Sequence, residues 1–598
     1  MQKFDDNKNI KAYKDNKLMK KLYKYFKPHI GTFIFSILLT FIVVLADLLP
    51  ATLFGKTIGV LGNADLAGDV KIKQVAIYLA IYIGVIIVSC VINYLNSIIL
   101  QRAGQKIMVN LREDVFVHIE SLSIAQINST PVGKLVTRVT SDTNAINELF
   151  TSVIVNLIRY ALTLISVVVI MLTISPILTL YLFIVVPFLV VLSVVFRKLS
   201  RKQYRKVRGC VSNVNAFLSE NISGMKITQI FNQEEKKLNE FRQKNNELKK
   251  NSIRQTVIFG VFRPLIFVLF IVCQIIVLYN GYLLIVAGTL IVDSYVAFYQ
   301  YISSFFNPIQ QLADQFNRMQ QAFASAERVF EILDTEIQIL DEEDAIEIDH
   351  FEGKIEFDHV WFAYNDENWI LKDVSFTVEP KQTVAFVGAT GAGKTTILAL
   401  IVRNYEIQKG EIRIDGINVK KIKIESLRKH IGQMLQDVFL FSGTIKDNIT
   451  LKEEAFTEEQ IIEACKYVNA DKFIDKLDGK LDYQVLERGV NFSSGQRQLL
   501  SFARTIIHEP NIMILDEATA NIDTETEVLI QDSLEKMMSV GTMLIVAHRL
   551  STVQHANNII VLHKGKIVEQ GTHQKLLSMK GLYYSLYELQ YKDKKEAC

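Results

Sequence analysis

A chain of 598 residues exceeds one ordinary core, and 49% hydrophobic content with a mean hydropathy of +0.21 signals apolar segments beyond what a soluble fold buries. Lys+Arg 66 against Asp+Glu 63 leaves a net charge of only +3, which offers no field for nucleic acid, so no nucleic-acid partner is expected. The five cysteines, Cys90, Cys210, Cys273, Cys465 and Cys598, fit neither a metal-ligand spacing nor a disulfide framework and read as free thiols.

The apolar runs crowd into the first half, which is expected in the lipid bilayer, while the second half has the character of a soluble α/β domain. The first 29 residues are rich in lysine and hold no apolar stretch long enough for a cleavable signal peptide. Leu18, Leu22, Tyr25 and Phe26 recur at helical spacing among Lys17, Lys20, Lys21, Lys24 and Lys27, which predicts a helix lying on the cytoplasmic membrane surface.

Apolar segments then run from Phe33 to Leu53, Val75 to Leu100, Phe150 to Ile174, Pro176 to Val195 and Val257 to Val286, each near or above the roughly 20 residues that a spanning helix needs. The two in the middle form one long run broken at Ser175-Pro176, the mark of a helical hairpin. The stretch from Tyr295 to Leu312 is more polar and is counted as a sixth helix, one that lines a water-filled cavity. Basic residues set the orientation. Arg102, Lys106 and Arg112 follow the second span and a dense run from Arg197 to Arg208 follows the fourth, whereas the break at Ser175-Pro176 has none, so both long connections and both termini are expected in the cytoplasm. These connections are polar and helical in pattern, which predicts helices that project well beyond the bilayer. Asp47, Arg159 and Arg263 fall inside or near apolar runs, where an ionisable group either faces a cavity or pairs with a neighbouring helix.

In the second half, Thr383-Val-Ala-Phe-Val387 predicts a buried strand and Thr396-Ile-Leu-Ala-Leu-Ile-Val402 a helix. Between them lies Gly388-Ala389-Thr390-Gly391-Ala392-Gly393-Lys394-Thr395, the glycine-rich turn that lets backbone N–H groups curl around phosphates at a helix N-terminus. Lys394 supplies positive charge to the outer phosphates of ATP, and the Thr395 hydroxyl is suited to ligate Mg²⁺. Ile512-Met-Ile-Leu-Asp516-Glu517 predicts a strand ending in two carboxylates, with Asp516 for the Mg²⁺ shell and Glu517 to polarise an attacking water. Gln436 and His548 each follow an apolar strand, Gln436 within reach of Mg²⁺ and the attacking water and His548 of the γ-phosphate.

With Asn491-Phe-Ser-Ser-Gly-Gln-Arg-Gln498 between the phosphate loop and Asp516, the chain resembles the ABC transporter family, whose signature is usually Leu-Ser-Gly-Gly-Gln. The order of Tyr364, Gly388 to Thr396, Gln436, Glu487-Arg-Gly489, the signature, Asp516-Glu517, Asn521-Ile-Asp523 and His548 carries the resemblance through the second half. Thr130 to Asp142, Ser219 to Gly224 and Ala324 to Asp334 carry it through the first, where they resemble the two cytoplasmic loops and the linker of exporter-type members. The resemblance implies an N-terminal segment (1–30), a six-helix α transmembrane domain (31–325), a linker (326–352), an α/β nucleotide-binding domain (353–590) and a short tail (591–598).

It also implies that Tyr364 stacks on adenine, that Asp523 belongs to the D-loop, and that Ser493, Ser494, Gly495 and Gln496 face the ATP of a second half-transporter. Ser494 stands where the family has glycine and Phe492 where it has leucine, so this chain pairs a full hydrolytic set with an altered signature. That asymmetry points to a heterodimeric ATP-driven exporter of hydrophobic or amphipathic compounds. A homodimeric drug or lipid exporter and an exporter-fold importer of metal chelates stay open.

Overall fold

The computed structural model describes residues 15–365, 368–516, 524–546 and 553–596. The chain divides into two compact units, one built from the residues up to His118 together with Gly133–Thr335, the other from Ile119–Val132 and everything from Glu336 on.

Among the described residues, five helical segments are long and apolar enough to cross a membrane: Leu18–Gly62, Gly68–Ser121, Val132–Ile174, Pro176–Ser223 and Glu234–Val286. The more polar sixth, Val292–Leu333, is continuous over 42 residues. At about 1.5 Å per residue the 54-residue helix Gly68–Ser121 and the 53-residue helix Glu234–Val286 are each about 80 Å long, far more than a hydrocarbon core of about 30 Å, so both extend well past the bilayer as expected. The predicted hairpin break is present. Ser175 is extended (φ −158°, ψ 106°), its Oγ accepts from the Leu178 N–H at 3.4 Å, and Pro176 occupies the first turn, where a missing N–H costs nothing. Pro50, Pro187, Pro264 and Pro308 by contrast sit inside helices without ending them, which spanning helices tolerate because neighbours re-satisfy the freed carbonyls.

The core of the first unit gathers Val44 and Leu48, Val167 and Met171, Leu178 and Leu182, Cys273 and Val277, and Phe298, Tyr301 and Ile302 from five helices. Tyr301 is buried there and donates to the Leu48 carbonyl at 2.8 Å. The helix Asp15–Phe26 forms as its spacing predicts, but Leu18 and Leu22 are buried in protein rather than left for lipid. Tyr25 donates to Asp114 at 2.6 Å, Lys21 pairs with Asp334, and Phe26 packs on Phe33 and Phe150. Arg159 pairs with Asp47 at 3.0 Å and Ser89 donates to the same carboxylate at 2.8 Å, so the expected pairing with a neighbouring helix is observed for these two charges. The side chain of Arg263 is not among those described. Cys90, Cys210, Cys273 and Cys465 are free thiols, and Cys598 lies outside the described residues.

The second unit holds a six-stranded sheet in the order β12 (Lys566–Gly571), β11 (Asn558–His563), β3 (Thr383–Val387), β10 (Thr542–Val546), β9 (Ile512–Asp516), β6 (Ile431–Met434), parallel except at β12. A four-stranded antiparallel sheet, β2 (Trp369–Val378), β1 (Ile355–Ala363), β4 (Lys409–Ile414), β5 (Ile417–Asn418), packs its Phe357, Leu371 and Ile412 into the same core as Val384 and Phe386 of β3. Both faces of β9 are covered: Ile512 and Ile514 enter that core, while Met513 and Leu515 enter a second one built with Leu499, Phe502 and Ala503 of the helix Ser494–Ile507. A strand buried on both faces reads as an unbroken apolar run, the signal seen in the sequence. The segment Ile119–Val132, expected with the membrane half, groups with this unit instead, and Gln126 of its helix Ile124–Ser129 donates to the Glu336 carbonyl at 2.8 Å.

Candidate nucleotide-binding site

The site is built where parallel strands end. Register pairs Val546 of β10 with both Phe386 of β3 and Asp516 of β9, which brings the carboxyl ends of three central strands level. A crevice outside such ends is where open α/β sheets bind ligands. The glycine-rich loop leaves β3 there and runs into the helix Lys394–Ile401.

Two glycines in the loop are sterically required. At Gly388 (φ 154°) an added Cβ would collide with the Leu562 carbonyl oxygen, and at Gly393 (φ 103°) it would lie 2.6 Å from Leu371 Cδ2. The backbone of this loop is thereby held against β11 and β2, with Gly391, Ala389, Thr390 and Ala392 completing the turn. Lys394 is 6% exposed, and its Nζ donates to the Gly388 carbonyl at 2.7 Å and the Ala389 carbonyl at 3.2 Å. The ammonium is thus placed at the loop's own mouth, at the start of a helix whose first N–H groups have no intrahelical acceptor.

Thr395 and Asp516 are brought together: the Thr395 hydroxyl donates to Asp516 Oδ1 at 3.3 Å, and Asp516 is buried at the end of β9. A hydroxyl and a carboxylate in contact are the hard oxygen donors that a small divalent cation prefers. Gln436 lies two residues past β6, whose Met434 pairs with Leu515, so the fold brings it to the same end of the sheet as Asp516. Tyr364 follows β1 directly. Its hydroxyl is 3.1 Å from Thr396 Oγ1, and its ring meets Phe362 and Tyr405 edge-on at 4.9 and 5.0 Å. The ring is otherwise 47% exposed, and sheltering of its hydroxyl end raises the phenol's pKa, so it stays neutral. Tyr405 could not have been singled out from the sequence, because nothing local announces its contact with Tyr364. Glu517, Asp523 and His548 lie outside the described residues.

The signature segment begins the helix Ser494–Ile507. Ser493 is its N-cap: Oγ accepts from the Gln496 N–H at 3.2 Å, and Gln496 Oε1 accepts from the Ser493 N–H at 3.0 Å. This reciprocal box is written in the sequence as Ser-x-x-Gln and fixes the helix start. The Ser493 hydroxyl accepts in that bond, so its proton is still available to donate. Ser494 is the first helical residue and Gly495 is buried beneath it. Phe492 is 5% exposed and meets Phe473 and Tyr483 edge-on at 6.2 and 5.8 Å, in the core that lies under this helix.

The aromatic residues of the last two membrane helices are dispersed: Phe305 is buried in the core of the membrane unit, Phe259 and Phe262 pack on Phe196, Tyr299 is partly buried, and Phe267 is exposed.

Residues 33–309 match the family model for the ABC transporter transmembrane region, and residues 371–520 match the family model described as ABC transporter. The chain is 38% identical over 578 residues to exp8 of Streptococcus pneumoniae, by name an ABC transporter ATP-binding protein, covering 96% of this chain and 97% of that one. This chain belongs to the ABC transporter family. It is also 37% identical to YheH of Bacillus subtilis, named a "Probable multidrug resistance ABC transporter ATP-binding/permease protein", over 87% of this chain and 77% of YheH. A protein of Syntrophus aciditrophicus named "ATP-dependent lipid A-core flippase" is 33% identical over 89% of this chain and 87% of its own length. One membrane region followed by one nucleotide-binding region makes this ABC transporter chain an exporter-type half-transporter, a multi-pass membrane protein that hydrolyses ATP with its nucleotide-binding unit in the cytoplasm.

Proposed function

We propose that this chain is one half of a dimeric exporter that uses ATP to move amphipathic or hydrophobic compounds, drugs or lipids, out across the cytoplasmic membrane. The observation that carries the reading is the joining, in one chain, of a phosphate loop and its Thr395–Asp516 pair to a unit of long apolar helices. The names of YheH and of the lipid A-core flippase support export of such compounds over import of metal chelates.

In this reading the loop from Gly388 to Thr396 wraps the phosphates with backbone N–H groups, and Lys394 exchanges its two carbonyl partners for phosphate oxygens. Thr395, Asp516 and Gln436 hold Mg²⁺, which when bound neutralises charge on the outer phosphates. Glu517 orients and deprotonates the attacking water, His548 contacts the γ-phosphate, and Tyr364 offers its exposed ring to adenine. Ser493 and the N–H groups at the start of its helix face the ATP held by the partner, whose own signature closes over this chain's loop, with Asp523 between the two.

The partner is non-identical in this reading, because Ser494 puts a side chain where a phosphate approaches closely while the hydrolytic set on the same chain is complete. One feature favours a homodimer instead: Ser494 keeps the first-turn backbone N–H of a capped helix, the donor that a phosphate needs. Expression of the chain alone, against co-expression with a second half-transporter carrying an intact signature, tests the choice. Drug-stimulated ATPase from the lone chain, with two equivalent ATP sites, refutes the heterodimer. Accumulation of fluorescent amphipaths inside inside-out vesicles on ATP addition tests export itself.

A further inference from the structure

A cavity of about 350 Å³ lies in the membrane unit between the helices Ile30–Gly62, Gly68–Ser121 and Ile154–Ile174. Its residues fall within three of the apolar runs, toward their cytoplasmic ends, yet Thr40, Asn93, Asn96, Ser97, Asn156 and Arg159 line it. Polar groups at such depth are costly and mark a ligand or a pathway rather than lipid contact. On Gly68–Ser121 the lining residues Asn93, Asn96, Ser97 and Gln101 form a stripe at helical spacing, at the end of a run otherwise legible only as a span.

Three details set the chemistry of the cavity. Arg159 is already paired with Asp47, so the charges at this site cancel. The hydroxyls of Thr40, Ser97 and Thr151 donate to the carbonyls of Ser36, Asn93 and Asn147 at 2.8, 2.8 and 3.0 Å, which spends their protons and leaves their lone pairs as acceptors. Asn96 is 6% exposed and donates to Thr40 Oγ1 at 3.1 Å, while its own carbonyl oxygen accepts nothing from the described residues. A buried acceptor without a donor is costly until something supplies one. Donors come from Asn93, Asn156 and the remaining N–H groups of Arg159.

We propose that this cavity holds the head group of the exported amphipath and that the head is uncharged and hydroxyl-bearing, the glycosyl head of a lipid. This rests on the export reading above and specifies its substrate. An anion would meet Asp47 and a cation Arg159, whereas vicinal hydroxyls donate to Asn96 and the spent hydroxyls and accept from the carboxamides and the guanidinium. The volume is near the lower end of the roughly 300–1,000 Å³ of small-molecule sites, enough for a head group and not for its acyl chains. Those chains have apolar surface beside the cavity, where Tyr94 is 67% and Leu95 49% exposed.

The transporter, reconstituted with its partner where one is needed, is tested with four probes: a glucosylated diacylglycerol, the same diacylglycerol without the sugar, phosphatidic acid, and a quaternary ammonium dye. ATPase stimulation and direct binding of the labelled glucosyl lipid are read in wild type, Asn96→Leu and Asn93→Ala. The glucosyl lipid is expected to stimulate at the lowest concentration, and both variants to weaken it at least tenfold without altering the response to the unglycosylated lipid. Asn93 is exposed, so its variant decides the matter should Asn96→Leu not accumulate. Stimulation led by the anion, the cation or the bare lipid overturns the head-group assignment and leaves export standing. A glucosyl-lipid response unchanged in Asn93→Ala overturns it as well, and silence from all four probes overturns both readings.

Discussion

Asp142 joins two arginines in the membrane unit, and replacing it with asparagine removes its charge while keeping its shape. The carboxylate is 5% exposed and accepts from Arg138 Nη1 at 2.8 Å, from Arg328 Nε at 3.0 Å and from Arg328 Nη2. Ser325 supports Arg328 at 2.9 Å, and a third arginine, Arg112, donates to the adjoining Thr143 and Asn144. Charge-assisted hydrogen bonds contribute about 1.5–3 kcal/mol each, so three set a ceiling of about 4.5–9 kcal/mol. The amide keeps one acceptor oxygen, and the Arg328 side chain is 41% exposed, so solvent screens much of the rest. The expected loss is about 2–3 kcal/mol, or about 3–5 °C in the melting transition of a unit of this size in the purified protein. Burial raises the Asp142 pKa, but the hydrogen bonds from Arg328, Ser325 and Arg138 outweigh it and hold the carboxyl below its ordinary value. A group depressed in the folded state contributes stability above its unfolded pKa and loses it as pH falls through the folded one. The gap between wild type and Asp142→Asn should therefore be full at pH 7 and shrink only below about pH 4. Melting curves within 1 °C of each other at pH 7, or a gap that closes on going alkaline, would refute this account.

Four further outcomes are expected. Glu517→Gln should leave ATP binding intact and lower turnover by orders of magnitude, and near-normal ATPase activity would sink the assignment. Trp361 and Trp369 are the chain's two tryptophans, edge-on at 5.5 Å, and Trp369 pairs with Ala363 beside Tyr364. Their emission should therefore change saturably with ATP, and a response that survives Tyr364→Ala at unchanged affinity would separate the ring from adenine. Phe492→Leu, although it restores the family's usual residue, should destabilise the protein by about 1–2 kcal/mol, since two edge-on aromatic contacts are lost and leucine refills only part of the volume; a raised melting temperature would contradict it. In a heterodimer Ser494→Gly should barely alter steady-state ATPase activity, because the ATP it faces belongs to the weak site, whereas in a homodimer it should speed both sites.

What the sequence made legible was local. A strand buried on both faces, a glycine loop and a strand ending in Asp516 are contiguous signals, and register then places them at the carboxyl end of the sheet. The hairpin at Ser175-Pro176 was legible for the same reason, since its cap and its proline are neighbours. Contacts across long separations were not. The pairs Arg159–Asp47 and Arg328–Asp142 join residues more than 100 positions apart, and no pattern in either segment names the other. Pro50, Pro187, Pro264 and Pro308 fall inside segments read as single helices, and the helices do run through them, since neighbouring helices re-satisfy the freed carbonyls. The helix Asp15–Phe26 was found by its period, but a period says which side is apolar and not whether lipid or protein covers it.

The two departures in the signature, equal in the sequence, are unequal in the fold. Phe492 points into the core with Phe473 and Tyr483, so its exchange for leucine is a packing matter with no path to a phosphate. Ser494 stands one residue past the N-cap, on the first turn, where backbone N–H groups lack an intrahelical acceptor and a side chain shares their space. The cap itself, Ser493 with Gln496, is intact, so the helix start and its dipole are kept. Under the proposed pairing, a functional asymmetry carried by this segment would therefore arise from the Ser494 side chain, through its steric demand on a phosphate, and not from a misplaced helix.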